Sequence, residues 1–180
     1  LEDQDILRKF ADPASRNVAF NQLVRKYQTK VYWHVRKMVI DHDDADDLTQ
    51  DVFVKVWKHL ETFRQDASLY TWLYRIATNE CLNFLQSKRR KFFLPIHDVA
   101  AELTAKVEAD PGLAGDAIEL RLQKAILTLP DKQRLVFNLR YYDEMPYEQM
   151  AKVTGTSVGA LKASYHHAAK KIESYITNAD

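Results

Sequence analysis

Tyr147-Glu148-Gln149-Met150-Ala151-Lys152-Val153, then Thr154-Gly155-Thr156, then Ser157 and the residues after it: this stretch decides how the chain is read. A short helix meets a tight turn containing Gly, and a second helix starts at a Ser cap, which is the layout of a helix-turn-helix. With Ser157 as cap, Val158, Leu161, Tyr165, Ala168 and Ile172 recur at helical spacing and are expected to pack inward with Met150 and Ala151. Ala151 is small enough to let the two helices approach closely, and Gly155 can take the positive φ that the turn needs. The opposite face carries Gly159, Ala160, Ala163, His167 and Lys170, with Ser164 and His166 on its flanks. Small residues there let a helix sit deep in the major groove, where Ala methyls can meet thymine methyls. Thr156, Ser157, Lys162 and Lys171 are placed to reach phosphates. The competing reading is an ordinary three-helix core with an unremarkable outer face. His166 and His167 are neighbours that point about a quarter turn apart, so they do not form a metal pair.

The rest of the chain says what kind of DNA-binding protein this is. Its 180 residues allow one domain or two small ones. With four Gly, five Pro and apolar residues at three-to-four spacing almost throughout, the fold class is all-α. The lone Cys81 cannot pair within the chain, which suits a reducing cytoplasm, and no apolar run is long enough to span a bilayer. The chain opens at Leu1 rather than Met, consistent with a residue or short segment before it. A net charge of +1 is weak for a nucleic-acid binder, but its distribution is uneven. Lys88-Arg89-Arg90-Lys91 is a dense basic run, while Asp41 to Asp51 holds six carboxylates. Separation of sign suggests two surfaces with two partners, the alternative being two solvated faces.

Periodicity predicts helices near 15–39, 43–60, 69–90, 117–128, 131–142, 147–153 and 157–177. Between the third and fourth lies a less regular, acidic stretch with Pro95, Pro111, Gly112 and Gly115, of which Ala100 to Ala109 has the makings of a short helix. The expectation is two small helical domains, 1–91 and 117–180, joined by a flexible linker, 92–116, with the helix-turn-helix in the second. In the first domain, Ala45, Leu48, Val52, Val56 and Leu60 form an apolar stripe widened by Phe53 and Trp57. Asp47, Gln50, Asp51 and Val54 fall on the other side, an acidic face with one apolar residue in it, suited to a basic partner helix or simply to water. The aspartates lack the Gly and closing Glu of a calcium loop. Tyr70, Trp72 and Tyr74 beside the basic run suit single-stranded nucleic acid, where bases stack and phosphates are neutralised; each taken alone also suits a core.

Three segments together resemble a known family. DADDLTQDVFVKVW (Asp44 to Trp57) resembles the core-polymerase-binding helix of extracytoplasmic-function (ECF) sigma factors. LYTWLYRIATNECLNFLQSKRR (Leu69 to Arg90) looks like their promoter-melting and −10-reading segment. LTLPDKQRLVFNLRYYDEMPYEQMAKVTGTSVGALK (Leu127 to Lys162) looks like their −35-binding domain. The resemblance implies a dissociable RNA polymerase subunit that binds core polymerase through its β′ and β subunits and contacts promoter DNA both as duplex and as non-template single strand. By position it assigns Asp47, Gln50, Asp51 and Val54 to core polymerase. It assigns Phe63 and Ser68 (in a loop that holds a flipped base), Trp72, Asn79, Asn83, Lys88, Arg89 and Arg90 to the −10 element. The −35 contacts then fall to Thr156, Ser157, Gly159, Ala160, Lys162, Ala163, Ser164, His166, His167 and Lys170. It also implies an anti-sigma factor as partner and no cofactor.

Departures from the family pattern weaken the carry-over of base contacts. Many members have Arg where Ser164, His167 and Ala169 stand, so this recognition helix is less basic than usual, and Pro146 replaces a common Ser cap. A stand-alone helix-turn-helix repressor dimerising on a palindrome is the alternative, although it has no need of the acidic helix or the aromatic-basic segment. An enzyme is disfavoured: the sequence assembles no nucleophile with its base, no phosphate-cradling Gly loop and no metal ligands at workable spacing.

Overall fold

Local capping chemistry sets several helix starts. In the computed structural model, which describes residues 2–92, 96–110 and 115–178, nine helices occur among the described residues and no strand. They are α1 (Asp3–Ala11), α2 (Arg16–Val39), α3 (His42–His59, ending in a 3-10 turn at Leu60–Thr62), α4 (Leu69–Phe92), α5 (Ile96–Ala109), α6 (Ala117–Leu127), α7 (Asp131–Tyr141), α8 (Tyr147–Thr154) and α9 (Val158–Thr177). Asp41, Asp116 and Ser157 each accept a hydrogen bond from the backbone N–H three residues on, satisfying a donor the helix leaves orphaned. Pro146 sits just outside α8 rather than in its first turn, and its carbonyl accepts the Met150 N–H at 2.9 Å.

Two helices go beyond the periodicity reading. Helix α1 is short and polar, yet Ile6 and Phe10, one turn apart, are buried on α2. Helix α5 occupies most of the acidic stretch, starting earlier than Ala100. Leu103 and Val107 bury against Leu127 and Ile40, and offset the cost of ordering it. Pro95, Pro111 and Gly112 lie outside the described residues.

Ile40 caps α2 at φ 67°, a strained conformation for a β-branched residue. The buried Arg36 guanidinium holds it by donating to the Ile40 carbonyl at 2.6 Å, and the same guanidinium pairs with Asp110 at the end of α5. Lys106 with Asp41 adds a second tie between α5 and this corner. The half-exposed Lys106–Asp41 pair contributes at most about 1 kcal/mol, less than the apolar contacts of Leu103 and Val107.

Helices α1, α3 and α4 pack on α2, and α9 packs on α6, α7 and α8. The two groups also meet. Helix α8 lies along α4, α7 touches α2 and α4, and one apolar cluster runs from Ile6, Leu23 and Leu73 into Leu139, Met150 and Leu161.

Candidate nucleic-acid interface

Helix α9 presents the face expected of it. Leu161, Ala168 and Ile172 are buried and Val158 and Tyr165 half-buried, while Thr156, Ser157, Gly159, Ala160, Lys162, Ala163, His166, His167 and Lys170 are exposed and Ser164 is half-buried. Gly155 takes φ 71° at the end of α8, and a Cβ there would meet nothing, so the demand for Gly is purely conformational. The Ser157 hydroxyl accepts the Ala160 N–H at 3.2 Å, giving it a capping role in addition to any phosphate contact. Lys171 donates to Gln133.

On α3 the core-facing stripe is buried except Trp57, which is 38% exposed, and Asp47, Gln50, Asp51 and Val54 all face outward. Val54 is 50% exposed, high for an aliphatic residue on a packed helix. It does not stand alone. Val54 and Gln50 line a groove of about 590 Å³ with Phe20, Val24, Gln28 and Trp57, between α2 and α3. Edge-on contacts of Trp57 with Phe10 and Phe20 make the wall of that groove rigid.

The −10 residues fall into three situations. Trp72, Asn79, Asn83 and Arg90 share one outward stripe of α4, with Trp72 half-buried against the Phe63 ring at 5.2 Å. Ser68 caps α4, accepting the Thr71 N–H, and the loop holding Phe63 borders a polar cleft of about 310 Å³ closed by α1. Arg89 is half-buried and paired with Asp131 of α7, so it is engaged across the two halves; Lys88 is half-buried near Asp44. Of the aromatic trio, Tyr74 is core: it is 2% exposed, stacks on His34 and is pushed up in pKa by that burial. Tyr70 is half-buried against Tyr74 and Tyr27.

A quarter turn from that stripe, α4 is covered by the helix-turn-helix. Gln149 Nε2 donates to Thr71 Oγ1 at 2.9 Å, and Arg75 Nε donates to the Lys152 carbonyl at 2.8 Å. Deeper in, the His34 ring is wholly buried, with Nε2 2.9 Å from Thr78 Oγ1 and Nδ1 4.0 Å from the Asp143 carboxylate, too far for a hydrogen bond. The Asp143–His34–Thr78 line has the order of a catalytic relay, but no face of the ring is open to a substrate. Burial first, then the Lys37 ammonium, push His34 down to about 3, so it is neutral; burial raises Asp143 although Lys37, 3.2 Å away, pulls the other way. None of these contacts was visible as a pattern, because each joins residues more than 75 positions apart except His34 with Thr78.

The family description "Sigma-70 region 2" matches residues 23–91, and "Sigma-70, region 4" matches residues 119–172. The RNA polymerase sigma-H factor of Pseudomonas aeruginosa is 32% identical over 96% of this chain and 92% of its own length. The ECF RNA polymerase sigma-E factor of Escherichia coli is 33% identical over 88% of this chain and 86% of its own. The chain is an extracytoplasmic-function sigma factor. It directs RNA polymerase to promoters, and the repressor alternative finds no support. The ECF factor SigW of Bacillus subtilis is 31% identical, over 82% of this chain and 83% of its own. Among solved structures, this sigma factor shares its fold with CnrH in complex with the cytosolic domain of CnrY (TM-score 0.71, 23% identity, 99% of each chain). It also shares it with RpoE in complex with the anti-sigma factor NepR from Bartonella quintana (TM-score 0.68, 21% identity, 89% of this chain and 98% of that one).

Proposed function

We propose that this sigma factor docks on core polymerase through the groove between α2 and α3, with Val54 and Gln50 in its wall and Asp47 and Asp51 beside it. The observation that carries this reading is the exposed apolar groove itself. Val54 and Trp57 stay in water in the free chain, and desolvating them against a basic partner helix, on β′, supplies both affinity and orientation. The units at work are residues 1–91 and 117–180, joined through 92–116. The chain performs no catalysis of its own and acts where polymerase acts, in the cytoplasm; no described helix is long and apolar enough to cross a membrane.

In the first unit, the outward stripe of Trp72, Asn79, Asn83 and Arg90, with Lys88 and Arg89 at its basic end, takes the non-template strand of the −10 element. The cleft beside Phe63, in the loop that ends at Ser68, seats an extruded base. In the second, α9 enters the −35 major groove through Gly159, Ala160, Ala163, Ser164, His166 and His167, with Thr156, Ser157, Lys162 and Lys170 toward the backbone. The two elements lie about 25 base pairs apart, or roughly 85 Å at 3.4 Å per base pair. A folded chain of 180 residues has a radius of gyration of about 16 Å, hence a width of roughly 40 Å. With α8 against α4 the two reading surfaces therefore cannot serve one promoter, and the halves separate when polymerase is bound. One similar solved structure holds a sigma factor with an anti-sigma factor and another holds CnrH with the cytosolic domain of CnrY; an anti-sigma factor seated on the same groove of this chain would exclude polymerase.

Run-off transcription with purified core polymerase across a promoter library tests the reading. Core plus this chain is expected to initiate at a subset sharing −10 and −35 sequences. Initiation nowhere, with a palindrome protected by the chain alone, contradicts it.

A further inference from the structure

The two halves and the helix between them enclose a further cavity, with none of the residues assigned to polymerase or to DNA in its wall. Ile40 at the end of α2, Val107 of α5, Ile126 and Leu127 of α6 and Asn138 of α7 surround a space of about 150 Å³. All of these are buried, and all but Asn138 are apolar. The remaining lining residues, Lys37, Glu119, Gln123 and Tyr142, carry polar groups and are half-buried, so they mark the side on which the space opens to solvent. An apolar floor with a polar mouth is the usual build of a small-molecule pocket. Its size limits the occupant, because an apolar cavity of about 150 Å³ takes a ring the size of benzene.

The mouth narrows the chemistry. The Lys37 ammonium is 3.2 Å from the Asp143 carboxylate and lies over the Tyr142 ring, so its charge is already answered. Glu119 Oε1 accepts from the Tyr142 hydroxyl at 3.0 Å and from Gln123 Nε2 at 3.3 Å. Glu119 Oε2 takes no hydrogen bond among the described residues and keeps its lone pairs for a further donor. A cationic ligand would meet Lys37, and an anionic one would meet Glu119. A neutral ring with one donor avoids both conflicts. We infer that this pocket is an effector site for a neutral, single-ring aromatic carrying one hydroxyl or N–H, and that its occupant holds the protein closed. The ring fills the floor between Val107 and Ile126, and the donor reaches Glu119.

The closing effect follows from where the walls come from. Lys37 and Ile40 fall in the stretch that matches region 2, Glu119 to Tyr142 in the one that matches region 4, and Val107 between them. The pocket is complete only while α5 bridges the two, with Leu103 and Val107 against Ile40 and Leu127. A ligand that binds one state and not the other favours the first by the factor 1 + [L]/Kd. Separation of the halves on polymerase dismantles the pocket, so occupant and polymerase oppose each other. That opposition rests on the proposed opening; occupancy in the free chain does not.

Phenol is the probe, titrated into the full chain and followed by its own NMR signals, with toluene as the analogue that lacks a donor. Phenol is expected to bind with a Kd on the order of 1 mM, ordinary for so small a ligand, and toluene about tenfold more weakly. Phenol at about ten times its Kd is expected to slow hydrogen exchange at the α5 amides about tenfold. Gln123→Phe, which puts a ring of its own into the pocket, is expected to weaken phenol at least about tenfold, and Glu119→Leu to remove the preference for phenol over toluene. No saturable binding, a phenol affinity that Gln123→Phe leaves unchanged, or α5 amides that exchange as fast with phenol as without it overturns the effector site. Phenol no tighter than toluene overturns the assigned chemistry. With core polymerase added, the same phenol concentration is expected to lower run-off product up to about tenfold for the wild-type chain and not for Gln123→Phe. Phenol that protects α5 yet leaves run-off unchanged supports the site and contradicts the proposed opening instead.

Discussion

Helices α3 and α4 belong to the same bundle and share its core, yet the free protein treats their outer faces differently. The outer side of α3, which we propose meets polymerase, is bare, down to a half-exposed Val54. One side of α4 is covered by α8 through Thr71, Arg75 and the apolar cluster around Met150, and its basic end is engaged at Arg89. The difference gives an order of events. On the proposed function, the surface for recruitment is available at once, whereas the helix proposed to meet melted DNA starts out alongside the half proposed to read duplex, so opening would follow docking.

Breaking the α3 side should have the largest effect. Val54→Arg places a charge in the groove wall and is expected to weaken core binding about 30-fold or more, as loss of a buried contact worth 2 kcal/mol does. Asp51→Arg should act in the same direction. Both residues are exposed, so helicity by circular dichroism should not change; a loss of helicity would mark them as structural. Breaking the α4 side should be milder. Removing the two hydrogen bonds between α4 and α8 with Thr71→Val and Arg75→Leu is expected to cost the docked form about 1–2 kcal/mol, raising the open fraction roughly tenfold with core affinity retained or improved. Hydrogen exchange at α8 amides reads that fraction.

The halves differ as well in how much of them is legible in sequence. The buried stripe of α3 and the inward face of α9 follow from spacing alone, because amphipathic periodicity is a local property. The docking of α8 on α4 is not local. Met150 and Val153 read as inward-facing in any arrangement, and nothing in their spacing says that α4 is among what they face. Arg134 and His34 look like surface residues, but Arg134 is 2% exposed, donating to the Met38 carbonyl at 2.8 Å, and His34 is fully buried. Only the Ala100-to-Ala109 part of helix α5 was legible as a short helix, and its docking through Leu103 and Val107 was not. Arg89 read as a free cation because Asp131, its partner, is 42 residues away.

Acid sharpens the comparison at the buried junction. Burial and Lys37 hold His34 at about 3 in the folded chain, against about 6.5 when unfolded. Below about pH 6.5 the unfolded chain binds a proton that the folded one refuses, so stability falls as pH drops through that window. Asp143 acts in the opposite sense once the carboxylate range is reached, because burial raises it in the folded chain and protonation there favours folding. Between pH 7 and 5.5 the His34 effect dominates and is expected to cost about 1 kcal/mol, read as a lower midpoint in urea. His34→Gln should flatten that dependence; an unchanged slope would mean the ring is not the proton acceptor. A comparably small effect is expected away from the junction. Gly155→Ala should cost about 1 kcal/mol through its left-handed φ alone, since the added methyl meets no neighbour.

The most direct test of the closed-then-open account is a distance. Asn83→Cys on α4 and Lys170→Cys on α9 are both exposed and take spin or dye labels, whereas Cys81 is buried with its thiol pushed up to about 12 and does not compete. A single short separation in the free chain, lengthening to well beyond its roughly 40 Å width on binding core polymerase, is the result expected. A free chain already as long as the bound one, or a bound one as short as the free, would contradict it.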